Sequence, residues 1–100
     1  MVETETLNTA KEYARTIRNS YNSSKVFLFG SQAKGTFHKD SDIDIAIVLD
    51  DYSDRMEIMM ELMRLRRKID LRIEPHPFRK DEFNSNNILA YEILQYGLEI

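Results

Sequence analysis

Asp42 and Asp44 stand two residues apart at the mouth of the apolar run IDIAIVL. Ionised carboxylates beside a buried strand are costly unless a cation neutralises them. Strand alternation sends both side chains out of one face, with Cα atoms about 6.5–7 Å apart. That spacing suits two divalent cations bridged by carboxylates and phosphate oxygens, the arrangement used for in-line attack at phosphorus. Mg²⁺ matches the donors, because it prefers hard oxygens and is commonly held by one or two carboxylates plus phosphates. A third ligand is expected from a neighbouring strand, and KIDLRIE offers Asp70. Read as a strand, that segment puts Arg72 and Glu74 on the face of Asp70, with Ile69, Leu71 and Ile73 on the other. Asp70 is preferred to Glu74 because it lies nearer the strand start, level with the pair. It is expected to place the second metal and to accept the proton of an attacking hydroxyl.

Gly30-Ser31 follows the apolar segment KVFLF and supplies the other half of the expected site. Glycine permits close backbone approach after a strand, and Ser31 can cap the short helix that follows. Backbone N–H groups at such a helix start form an anion pocket, to which Lys34 adds a charge one turn on. Triphosphate at Gly30-Ser31 and metals at Asp42-Asp44 would then face each other across one cleft. His38 reads as a solvated loop residue beside Lys39, and His76 as a structural or exposed residue in a rigid turn between two prolines.

The elements that must carry these residues alternate between helix and strand patterns. Leu7, Ala10, Ala14, Ile17 and Tyr21 recur at helical spacing and predict a helix over about 4–20. KVFLF and IDIAIVL read as buried strands, with a short helix or turn from Ser31, closed by Gly35, between them. A helix over about 54–68 leads into IDLRIE as a third strand that PHP stops, making a parallel unit. ILAYEILQY is a closing helix with Gly97 as its cap. The expected fold is α/β (α+β), a small mixed sheet of three or four strands flanked by helices, in one domain over residues 1–100.

In the 54–68 helix, Ile58, Leu62 and Leu65 form one apolar stripe, and Met56, Met59, Met60 and Met63 form a second. A helix on a single core needs a stripe only about 100° wide. The spare surface is either covered by neighbouring helices or is an adaptable dock for a partner or a second copy.

Composition excludes several classes. With 42% hydrophobic and 31% charged residues the chain is globular rather than disordered. Its net charge of −3 gives no general attraction for a polyanion. The basic cluster RLRRK reads as cations complementing a helix C-terminus, so no nucleic-acid template is expected. No apolar run approaches the roughly 20 residues that span a bilayer, and the acidic, polar N-terminus is unlike a secretory signal. Without cysteines there is no disulfide framework, so a cytoplasmic location is expected.

The order Gly30-Ser31, ten residues, Asp42-Ile43-Asp44, then Asp70 in KIDLRI resembles the signature of the DNA polymerase β-like nucleotidyltransferases. The resemblance runs from about Val26 through Glu74 and is greatest to the minimal nucleotidyltransferases. It implies binding of ATP with Mg²⁺ and transfer of the nucleoside monophosphate to a hydroxyl, with pyrophosphate released. It further implies that Gly30, Ser31 and Lys34 hold the triphosphate and that Asp42, Asp44 and Asp70 hold the metals. Minimal members occur as antitoxins beside HEPN-type toxins, some of which they silence by adenylylating a tyrosine. A protein acceptor and a HEPN toxin partner are therefore expected. The alternatives are a binding-only antitoxin acting through the Met face and transfer to a small molecule such as an aminoglycoside, for which the chain lacks a second domain to wall a deep pocket.

Overall fold

The computed structural model describes residues 2–21, 24–35 and 41–100. Helix α1 (Thr4–Ser20) is followed by strand β1 (Lys25–Phe29), the single-turn helix α2 (Ser31–Lys34) and strand β2 (Ile43–Leu49). Helix α3 (Arg55–Leu65), strand β3 (Ile73–Arg79), helix α4 (Ile88–Tyr96) and the two-residue strand β4 (Leu98–Glu99) complete the order. The strands form one mixed sheet in the order β3-β2-β1-β4. β1 runs antiparallel to β2 and β4, and β2 runs parallel to β3.

Two-residue alternation divides the sheet into two faces. Val26, Leu28, Ile43, Ile45, Ile47, Leu49 and Ile73 leave one face and are buried against Ala10, Tyr13, Ala14 and Ile17 of α1 and Ile58 and Leu62 of α3. Each fully buried isoleucine or leucine contributes about 1.5–3 kcal/mol. Tyr13 also donates its hydroxyl to the carbonyl of Leu62 at 2.7 Å, which fastens α1 to the last turn of α3. On the other face, Phe27, Phe29, Ala46, Val48 and Phe78 pack with Ala90 and Ile93 of α4. Asp44 and Glu74 belong to this second face by parity, and they sit at its entrance, opposite each other in the parallel register.

Two expectations are corrected here. The third strand begins at Ile73, so the PHP segment lies inside it and KIDL lies before it. β3 is an edge strand, and prolines two apart turn their missing N–H groups to the same side, the open edge. Helix α3 ends at Leu65 rather than near 68, because the chain turns over Arg66–Ile69 and Arg66 Nη1 donates to the carbonyls of Leu71 at 2.6 Å and Ile73 at 2.9 Å. Gly97 caps α4 as expected, in an extended conformation, with its N–H donating to the carbonyl of Ile93. What requires glycine there is space, since a Cβ would collide with the carbonyl oxygen of Ile93.

The methionines of α3 do not form one surface. Met56 and Met60 are exposed, whereas Met59 and Met63 are half-buried and line a cavity at the edge of β3. Among the described residues no helix is long and apolar enough to cross a membrane.

Candidate active site

The turn between β1 and α2 fixes the first wall of the site. Gly30 has φ +76°, in the region that favours glycine, and caps α2 with Ser31 as its first residue. Gly35 closes the helix in the left-handed conformation. The buried Gln32 donates Nε2 to the carbonyl of Ser41 at 3.3 Å, tying α2 to the residue before Asp42. Its Oε1 is buried without a partner among the described residues. Lys34 points away toward α4, where its Nζ lies 2.9 Å from Glu92 Oε1 and 5.5 Å above the ring of Tyr96. Both partners of that ion pair are exposed, a setting in which such a contact is worth little.

The second wall comes from β2 and β3. Asp44 lies opposite Phe29 on one side and Glu74 on the other. His76 follows Glu74 on the same face, and its Nε2 lies 3.1 Å from Asp44 Oδ1 and 4.0 Å from Glu74 Oε1. The ring meets Phe29 edge-on, with centroids 5.0 Å apart. Ligand atoms of Asp44, Glu74 and His76 all fall within 4.8 Å of one another. Asp42 joins them through Glu74. Hydrogen bonding with Asp42, burial and the charge of Asp44 raise the Glu74 pKa against the opposing effect of His76.

The donor set fits a divalent cation. Asp44, Glu74 and His76 bring their ligand atoms together, and Asp42 and Asp44 both raise the Glu74 pKa; a cation with hard-oxygen preference would relieve that repulsion.

Asp70 is placed elsewhere. It lies in the turn before β3, where Oδ1 accepts from the backbone N–H of Arg72 at 2.9 Å and Oδ2 pairs with Arg72 Nη2 at 2.9 Å. Those hydrogen bonds lower its pKa. Sequence reasoning preferred Asp70 to Glu74 because it started the strand too early. It also read His76 as a turn residue, whereas His76 stands on β3 inside the cluster. The signal for both was available in IEPHPF, where Glu74, His76 and Phe78 alternate as strand residues do. His38 and Lys39 lie outside the described residues.

Beside the cluster, a cavity of about 420 Å³ opens at the edge of β3. Asp42, Glu74 and His76 line it together with Met59, Met63 and Arg72. Carboxylates able to hold a cation thus border a partly apolar space large enough for a side chain or a nucleobase.

The family model described as "Polymerase beta, Nucleotidyltransferase" matches residues 11–98. No curated protein matches the chain. Among solved structures, the chain is similar to a toxin-antitoxin crystallised with AMP-PNP, at 24% identity and a TM-score of 0.69, covering 90% of this chain and 70% of that one. A mutant of the toxin-antitoxin MntA-HpeT is similar at 22% identity and a TM-score of 0.66, with the same coverage. A protein from Sulfolobus solfataricus, provisionally described as a nucleotidyltransferase, is similar at 26% identity and a TM-score of 0.65, covering 78% of this chain and 70% of that one. With the match extending over nearly its whole length, from α1 to β4, the chain belongs to the polymerase β nucleotidyltransferase family.

Proposed function

We propose that the chain is a Mg²⁺-dependent nucleotidyltransferase that moves AMP from ATP to a hydroxyl of a protein partner, and that it serves in the cytoplasm as the antitoxin of a HEPN-type ribonuclease toxin. The observation that carries the catalytic part is the parallel register that sets Asp44 against Glu74, with Asp42 and Glu74 lining one cavity and the Gly30 backbone packed on Asp44. The toxin-antitoxin structures of similar fold, one of them crystallised with AMP-PNP, support the choice of nucleotide and partner.

In this reading Asp42, Asp44 and Glu74 hold the metal, with Glu74 in the part first assigned to Asp70. Bound Mg²⁺ would neutralise charge on the triphosphate and at the reacting phosphorus. Gly30 and Ser31 present backbone to the triphosphate, and Lys34 swings from its exposed contact with Glu92 to meet it. The acceptor hydroxyl enters from the cavity beside Met59 and Met63, and its oxygen bonds to the α-phosphorus as the bond to pyrophosphate breaks. The hydroxyl proton passes to a carboxylate, for which Glu74 is best placed because it borders both the cavity and the cluster. Asp70 acts at one remove, by fixing Arg72 at the cavity wall.

Incubation with Mg²⁺ and host lysate, using ATP labelled at the α- or the γ-phosphate, tests this. A protein labelled only from the α-phosphate, and not by the Asp42→Asn, Asp44→Asn double variant, is expected. Absence of such a product when the toxin is present and bound would overturn it. The exposure of Met56 (72%) and Met60 (67%) favours a second reading, a binding-only antitoxin that occludes its toxin. Under that reading Met60→Asp abolishes neutralisation and Asp44→Asn leaves it intact.

A further inference from the structure

His76 is the one nitrogen donor in the cluster, and its position is fixed on three sides. Pro75 and Pro77 flank it on β3, Phe29 meets its ring edge-on, and Asp44 Oδ1 lies 3.1 Å from Nε2. An octahedral ion with ligands at about 2.1 Å sets neighbouring ligand atoms about 3.0 Å apart and opposite ones about 4.2 Å apart. The His76–Asp44 separation of 3.1 Å matches the first spacing, and the His76–Glu74 separation of 4.0 Å approaches the second. Hydrogen bonding to Asp44 alone would explain the shorter distance but not the approach of all three ligand atoms to within 4.8 Å of one another.

We infer that His76 Nε2 is itself a ligand of the metal held by Asp44 and Glu74, so that the site binds Mn²⁺ in preference to Mg²⁺. As a ligand the imidazole would direct its Nε2 lone pair to the ion and carry its proton on Nδ1. Imidazole is a better donor to first-row transition ions than to Mg²⁺, whereas carboxylates alone serve both. The inference rests on the reading of these carboxylates as a metal site, but not on any reaction at them.

The test is pulsed electron paramagnetic resonance of the purified protein with one equivalent of Mn²⁺, paired with Mn²⁺ titrations in competition with Mg²⁺. Coupling to a single ¹⁴N nucleus is expected in the native protein. His76→Gln, which keeps a donor for Asp44, is expected to abolish the coupling and lower the Mn²⁺ preference about tenfold. Bound Mn²⁺ without nitrogen coupling in the native protein, failure to bind Mn²⁺, or coupling and preference that survive in a folded His76→Gln would each overturn the inference. The native-protein spectrum decides even if the variant does not fold. Nitrogen coupling in a protein that transfers no nucleotide would sustain this inference and sink the catalytic reading; transfer without nitrogen coupling would do the reverse.

Discussion

The backbone of Gly30 and the carboxylate of Asp44 are interlocked: a Cβ added to Gly30 would collide with Asp44 Oδ2. Gly30 also has φ +76°, which no L side chain adopts without strain. The turn at Gly30 and the strand that carries Asp44 are therefore one construction. Gly30→Ala is expected to cost about 1–2 kcal/mol from backbone strain and to displace Asp44. Misplacing a reacting group by about 1 Å can cost about 10²-fold in rate. The expected outcome is a folded protein with nucleotidyl transfer reduced about that much, measured by α-label incorporation beside a thermal melt. Native rates in Gly30→Ala would show that the interlock has no catalytic consequence.

Tyr13 is predicted to matter for stability and not for chemistry. Burial raises the pKa of its phenol, so the hydroxyl remains a donor to Leu62 at neutral pH. Tyr13→Phe removes that bond and leaves the buried carbonyl behind, at a cost of about 1–2 kcal/mol. For a domain of this size the melting temperature should fall by about 5–15 °C. Transfer measured well below the melting temperature should be within about twofold of native, since the site lies on the opposite face of the sheet.

Much of this was legible in the sequence. The apolar runs KVFLF and IDIAIVL became β1 and β2, and ILAYEILQY became α4, because each carries an unbroken pattern bounded by Gly or polar residues. The position of Asp42 and Asp44 at the mouth of β2 was legible for the same reason. The error at β3 arose because two prolines ordinarily stop a strand, and their tolerance depends on an edge position that only the sheet order reveals. That displaced strand start ranked Glu74 below Asp70 and put His76 in a turn. Gln32 was illegible as well, because a glutamine in a short polar helix gives no sign that tertiary packing will bury it. β4 is two residues long, too short for any periodicity.

Asp70 should leave its mark in the acid limb of stability. Hydrogen bonds from Arg72 lower its folded-state pKa below the unfolded value. Its contribution is therefore present above the unfolded pKa and lost as pH falls through the folded one, from about pH 4 downward. Asp70→Asn should make the protein less stable at neutral pH and flatten the dependence of stability on pH in that acid range. Denaturant melts from pH 2.5 to 7 check this. Parallel curves for native and variant would mean that the Asp70–Arg72 contact does not persist in solution.

Glu74→Gln and Asp70→Asn together decide which acid completes the site. Glu74 lies opposite Asp44 in register and within the ligand cluster, while Asp70 is occupied by Arg72 in the preceding turn. Removing a group that holds metal or positions charge at the reacting centre typically costs about 10²–10³-fold. A group that only orients a cavity residue should cost far less. Glu74→Gln is thus expected to reduce α-label transfer by about 10²-fold or more, and Asp70→Asn by no more than about tenfold. Metal binding gives an independent reading. Mn²⁺ affinity should fall in Glu74→Gln and hold in Asp70→Asn, and saturating Mn²⁺ should raise the melting temperature of the second variant but scarcely that of the first. The reverse ranking would restore Asp70 as the third ligand and require the turn before β3 to rearrange when metal binds.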